Sequence, residues 1–357
     1  MYDLPTVTVR GSLERMGEGQ GEAFRETIQR FVPMRWAAVH DYFEEFGRGS
    51  VPALREVGRQ CFALFQTWDP DGYREHCAVA RAANVDALEL FTTANMTDMR
   101  DVVMLAGAAD AEGCSAVLLP GTSTQNQQIL AGQTWDLNPQ DIDYVVGVHR
   151  IPDNAPETWS VTVSGCPSLV GMNAHGVMVG TTNIKTWGAR IGVGYMNLLH
   201  RALAQSDFQS AADVILTAPR SGAHTYWVAD PNRACLWETT PDHAMPRDVN
   251  DGPVFQTNHC LDDCVVESEW QPASPSSLAR HAKLEEKLNG TSHSIETMRA
   301  IFSDRSDGVD SINRYPEDAQ GTATNSVLLG IPADRELWAC RGPADRGVWQ
   351  RLNFDTL

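Results

Sequence analysis

The chain has 357 residues, 42% hydrophobic and 21% charged, the mixture of a folded globular protein, so disorder, collagen and coiled coil are excluded. Its 28 basic and 46 acidic residues leave a net charge of −18, the reverse of what a phosphate backbone requires, so no nucleic-acid partner is expected. Met1 to Gly11 shows no basic stretch leading into an apolar run, and nothing later approaches about 18 uncharged apolar residues. The expectation is a cytoplasmic chain without a membrane partner.

From Gly17 to Met104 apolar residues recur at spacings of three and four, as in Phe24, Ile28 and Phe31, then Trp36, Val39 and Phe43, then Cys61, Leu64 and Phe65, which predicts a helical first third. Pro33 punctuates it, and Gly47 to Pro52 predicts a helix stop followed by a proline-started helix. After Ala106 the period shortens. Strands are predicted at 114–120, 127–133, 144–150, 159–165 and 176–182, a helical pair at 194–205 and 210–216, and strands at 225–229, 234–239 and 254–258. Helices at 277–288 and 294–302 and strands at 326–330 and 336–340 complete the pattern. Strands without regular helix alternation favour antiparallel sheets covered by helices, an α+β layered body.

The eight cysteines are scattered, which argues against a disulfide framework and raises the question of a reactive thiol. Cys114 stands out, because Gly113 precedes it and it opens a strand where the helical pattern ends. If the Gly113–Cys114 bond were cut, one residue would carry both a thiol and an α-amino group. The α-amine, with a pKa near ~7.7, takes a proton from the thiol at neutral pH without help from a histidine. A buried, inert strand cysteine is the plainer alternative.

Gly113-Cys114-Ser115, then Gly132-Gln133-Thr134-Trp135-Asp136 one hairpin later, then Thr257-Asn258-His259, resembles the 6-aminopenicillanic acid acyltransferase family of N-terminal nucleophile hydrolases. The runs Gly17 to Phe24 and Ala78 to Leu90 extend the resemblance over nearly the whole chain. It implies a four-layer αββα sandwich of two antiparallel sheets, with residues 1–113 as a helical N-terminal segment (the α chain after self-cleavage) and 114–357 as the catalytic body (the β chain). It implies Cys114 as nucleophile and new N-terminus, Asp136 as the carboxylate holding its amine, Asn258 as an oxyanion donor and Arg314 as a functional arginine. Candidate pocket residues are Ser115, Trp135 and Asn183, each of which also reads as ordinary packing, an inert strand serine or a turn ending. The turn from Pro120 to Gln128 is longer than the family's usual loop.

No cofactor is called for. His259, Cys260 and Cys264 lack a second half-site for zinc, and the glycines at 17, 19 and 21 lack the lysine of a phosphate loop, so no metal is expected. The expected activity is a self-processing amidohydrolase acting on a small-molecule amide. An acyltransferase passing an acyl group from a thioester or amide to an amine is the alternative, and an unprocessed binding protein the second alternative. The α and β chains would remain partners, with a homo-oligomer open. The acidic balance mildly favours neutral or cationic substrates.

Overall fold

The computed structural model describes residues 1–104, 113–250, 252–290, 292–318 and 321–355. Ala111 and Glu112, just before the expected cleavage point, lie outside the described residues. Strand β1 (Thr6–Gly11) leads into helices α1 (Leu13–Ala23), α2 (Arg25–Phe46), α3 (Val51–Trp68), α4 (Pro70–Ala83), α5 (Ala87–Ala94) and α6 (Met96–Val103). Strands β2 (Gly113–Leu119), β3 (Leu130–Leu137), β4 (Val145–Pro152), β5 (Thr158–Val163), β6 (Val170–Asn173) and β7 (Met178–Asn183) follow, then α7 (Tyr195–Leu203) and α8 (Phe208–Thr217). Strands β8 (His224–Ala229), β9 (Ala234–Thr239), β10 (Ala244–Asp248) and β11 (Val254–Gln256) precede helices α9 (Asp263–Val266), α10 (Pro275–Leu288) and α11 (Ile295–Phe302). The chain closes with β12 (Ala323–Ile331), β13 (Glu336–Arg341) and β14 (Gln350–Arg351).

Two sheets form. One has the order β1-β4-β5-β6-β7-β8-β9-β10 and the other β11-β2-β3-β12-β13-β14. Among the described strands every pairing is antiparallel except β1 with β4, which is parallel, so the N-terminal segment contributes a strand to the body as well as helices. Alternation along β2 sorts its side chains into two layers. Ala116 and Leu118 join the core between the sheets with Val161 and Met178, while Val117 and Leu119 pack under α10 and α11 with Leu284, Met298 and Phe302. Helices α7 and α8 cover the opposite face through Leu199, Leu203 and Ile215. The result is the expected four-layer αββα sandwich. Each fully buried Leu, Ile or Phe in these layers contributes roughly 1.5–3 kcal/mol.

One sequence expectation is corrected here. Pro33 does not interrupt its helix, because α2 continues from Arg25 to Phe46. Its buried stripe, Ile28, Phe31, Arg35, Val39 and Phe43, outweighs a mid-helix proline, which costs about 3 kcal/mol. The stop at Gly47, with φ of 59°, and the Ser50 cap of α3 follow the expectation. The glycine-rich run at 17–21, already without the lysine of a phosphate loop, lies inside α1. A Cβ at Gly17 would sit 2.4 Å from the Glu75 carbonyl and one at Gly21 equally close to that of Val79, so these glycines let α1 lie directly on α4.

Buried polar pairs tie the N-terminal helices to the body. Arg150 Nε donates to Glu75 at 2.7 Å, Arg35 Nη1 to Asp141 at 3.0 Å, and Asn95 Nδ2 to Asn197 at 2.8 Å. Arg150 and His200 hold the Glu75 carboxyl at a pKa of about 2 against the upward push of its burial. These contacts do not depend on the backbone link between residues 104 and 113. Among the described residues no helix is long and apolar enough to cross a membrane.

Candidate active site

Hairpin pairing of β2 with β3 sets the site. Gly113 lies opposite Asp136, Cys114 opposite Trp135 and Ser115 opposite Thr134. The long turn leaves this register intact, closing on Leu119 and Leu130, and is itself docked through the Thr124–His293 bridge. Cys114 and Trp135 face the core between the sheets, whereas Ser115 and Asp136 face α10 and its arginine.

The sequence candidates converge. Cys114 N–H donates to Asn258 Oδ1 at 2.7 Å, and Asn258 Nδ2 donates to the Asn183 carbonyl at 2.9 Å. Arg314 Nη1 donates to Thr322 Oγ1 at 2.6 Å, Nη2 bonds Ser276, and Nε stands 4.0 Å from Asp136 Oδ2. A Cβ at residue 113 would fall 2.7 Å from Arg314 Nη1, so a larger residue there would have to displace the guanidinium. Burial pushes the Asp136 carboxyl up to about 6, although Arg314 and Arg280 pull it down. The other buried thiols are held protonated by their burial, Cys61 at about 11 and Cys235 at about 12.

Sequence reasoning missed the support beneath these groups, most of it on α10. Ser277 Oγ accepts from the Asn258 N–H at 2.8 Å, fixing the turn that carries the asparagine. Arg280, fully buried, donates to the Cys114 carbonyl at 2.5 Å, to Ser115 Oγ at 3.2 Å and to Asn258 Oδ1 at 2.9 Å. A signal was present: Ser277, Arg280, Leu284 and Leu288 share one helical stripe, and a charged residue on an apolar stripe needs a partner.

Cys114, Trp135, Leu137, Asn183, Tyr195 and His224 line a cavity of about 20 Å³, where Asp98 holds His224 Nε2 at 2.6 Å. Thr97 and Leu137 also border a larger cavity of about 110 Å³ with Val39, Met96, Arg35 and Arg100. On the Asn258 side a polar recess holds Asn183, Lys185, Glu269 and Gln271. Two guanidiniums, those of Arg280 and Arg314, stand at the Gly113–Cys114 end of β2, while Arg35 and Arg100 line the neighbouring cavity and pair with Asp141 and Asp101. His259 does not form a zinc half-site with its neighbouring cysteines. Ser277 and Thr257 engage its ring, Cys260 is buried and Cys264 is exposed. Elsewhere His149, Glu157 and Asp355 lie close enough for a cation, but His149 Nε2 and the Asp355 N–H already occupy one Glu157 oxygen.

A cysteine at the head of a central strand, its backbone nitrogen held by a carboxamide, beside a buried aspartate and two guanidiniums, has the parts of an acyl-transfer centre. The sequence model of the acyl-coenzyme A:6-aminopenicillanic acid acyl-transferase family matches residues 122–344. The chain belongs to that family and is an enzyme of the N-terminal nucleophile acyltransferase and amidohydrolase group. The match takes in Trp135, Asp136, Asn183, Asn258 and Arg314 and begins just after β2. The chain is similar to the 40 kDa form of acyl-coenzyme A:6-aminopenicillanic-acid-acyltransferase from Emericella nidulans, 24% identical over 332 residues, covering 92% of this chain and 89% of the relative. Among solved structures it is similar to penicillin V acylase from Agrobacterium tumefaciens, with a TM-score of 0.47, 10% identity, and 68% of this chain and 87% of that one covered. A mutant of conjugated bile acid hydrolase from Clostridium perfringens gives 0.43, 11%, 68% and 97%.

Proposed function

We propose that the protein is a self-processing cysteine amidohydrolase that cleaves the C–N bond of a small N-acylated amine through an acyl-enzyme on Cys114. The observation that carries this reading is the Cys114 N–H···Oδ1 Asn258 contact at the head of β2, with Asp136 paired opposite Gly113. In processing, the Cys114 sulfur attacks the Gly113 carbonyl carbon and the C–N bond breaks. The thiol proton passes to the departing nitrogen, and water hydrolyses the thioester to a Gly113 carboxylate and a free Cys114 thiol and amine. In turnover the α-amine takes the thiol proton, the thiolate attacks the substrate carbonyl, and the resulting ammonium protonates the leaving amine. Water then releases the acid. Residues 1–113 and 114–357 would stay together through the buried pairs described above.

Asp136 gives the reading a pH dependence. Its folded-state pKa of about 6 lies above the ordinary value, so the linked stability is present at low pH and is lost as pH rises through about 6. The role assigned to it needs the opposite form, the carboxylate that holds the α-ammonium. Asp136→Asn is therefore expected to raise stability at pH 8 by on the order of 1–3 kcal/mol, measured by denaturant unfolding of the precursor, while lowering turnover at least about tenfold. In the parent protein the acid limb of kcat/KM should fall at or below pH 6. A stable variant with undiminished turnover would remove Asp136 from the site.

The name of the Emericella relative favours a second reading, in which an amine rather than water resolves the acyl-enzyme. The two part on one experiment, in which purified protein is incubated with a panel of N-acyl amines and thioesters, with and without a free amine. Hydrolysis predicts amine release and acid formation that added amine does not diminish. A new amide formed at the expense of acid supports transfer, and no reaction with an intact chain supports a binding protein.

A further inference from the structure

We propose that Arg280 is a positioning residue of this site, whose guanidinium ties the Cys114 carbonyl, the Ser115 hydroxyl and the Asn258 carboxamide into one unit. The proposal rests on the reading of Cys114 as nucleophile. A carboxamide can sit either way round, and its neighbours decide which end faces where. Two donors converge on Asn258 Oδ1, the Cys114 N–H at 2.7 Å and Arg280 Nη2 at 2.9 Å. A guanidinium has no acceptor, so a flipped amide would point its own N–H groups at two donors. Arg280 thereby fixes Nδ2 on the other side, where one of its two hydrogens goes to the Asn183 carbonyl. The other is left for an oxyanion developing beside the sulfur. The same orientation survives cleavage, because Oδ1 then accepts from the new α-amine.

Arg280 Nη1 also grips the Cys114 carbonyl and Ser115 Oγ, holding the residue that must present its sulfur to a carbonyl. Charge adds a second effect. Arg280 and Arg314 face Asp136 on the α10 side, Asp310 also acts on Arg280, and the Asp98–His224 pair borders the Cys114 cavity on its other side. Burial and Arg314 lower the proton affinity of Arg280, but it remains charged at neutral pH. A guanidinium this close disfavours a protonated α-amine and favours the thiolate, which brings both toward their working states near pH 7.

The test compares Arg280→Lys and Arg280→Met in the full-length protein, reading processing by intact mass, kcat and KM on any turned-over amide, and the pH profile of kcat/KM. For Arg280→Met we expect processing slowed about tenfold or more, kcat down roughly 10–100-fold with KM within about threefold, and the alkaline-going rise of kcat/KM moved upward by about half a pH unit or more. Lysine restores the charge but not the fork, so Arg280→Lys should recover the pH midpoint while kcat stays low. A folded Arg280→Lys with parental kcat and processing overturns the proposal, and decides it even if Arg280→Met fails to fold. Cys114→Ala is run alongside: turnover in that variant means the nucleophile reading has failed, whereas its inactivity beside a fully active Arg280→Lys means that only the present proposal has.

Discussion

Cys114→Ala is expected to accumulate as one uncut chain and to show no amide turnover. The loss should be complete because a single residue supplies both functions, the sulfur that attacks and the nitrogen that manages the proton. A side-chain base can leave residual activity when its partner is removed, but here the alanine variant never exposes the amine at all. Cys114→Ser separates the two steps. A hydroxyl keeps the small buried volume and the backbone contact to Asn258 Oδ1, so its fold should match the parent. Its processing should be slowed by orders of magnitude, because an alcohol of much higher pKa is far less nucleophilic than a thiol. Intact-mass analysis over days of incubation measures the first effect and amine release the second. Cleavage of the alanine variant at the parental rate would assign the scission to another agent.

Asn258→Ala is expected to lose roughly 10²–10³ in kcat with little change in KM, the effect of deleting one oxyanion donor. Here the geometry enlarges the consequence. Removing the carboxamide also strips Cys114 N–H and Arg280 Nη2 of their shared acceptor, which leaves a buried guanidinium short of one bond. Stability should therefore fall as well, by about 1–3 kcal/mol. Asn258→Asp keeps an acceptor for both donors but loses the donor to the Asn183 carbonyl and to the oxyanion, so it should keep the Cys114 and Arg280 contacts and still lose turnover. Steady-state kinetics with a denaturation curve for each variant distinguishes lost chemistry from lost structure. An alanine variant with parental kcat would place the oxyanion elsewhere.

Much of this architecture was legible before the structure. The strand-like runs of β2 and β3 and the polar turn between them define the hairpin, which places Cys114 near Asp136 once the register is known. Asn258 and Arg314 carry no local signal of their own and are reached only through the resemblance. Arg280 shares the stripe of Leu284 and Leu288, which marks it as needing a buried partner, but that the partners are Cys114, Ser115 and Asn258 is set by packing across distant elements. The parallel partner of β1 is hidden for a similar reason, since Thr6 to Gly11 alternates like a strand but its pairing with β4 is set by how α1 and α4 fold back. Strand β10, with Pro246 inside and mostly half-exposed, is an edge strand without an apolar pattern and gives no signal at all. Net charge misleads about the locality of charge, since −18 over the whole chain coexists with two buried arginines, Arg280 and Arg314, beside the Cys114 end of β2.

The central claim is that a backbone cut leaves Cys114 with a free amine. End-sequencing and intact mass of the purified, catalytically active protein test it most directly. The account predicts a larger fragment beginning Cys-Ser-Ala-Val at residue 114 and a smaller one ending at Gly113, the two co-purifying without a covalent link. Active protein in which no chain starts at Cys114 would contradict it.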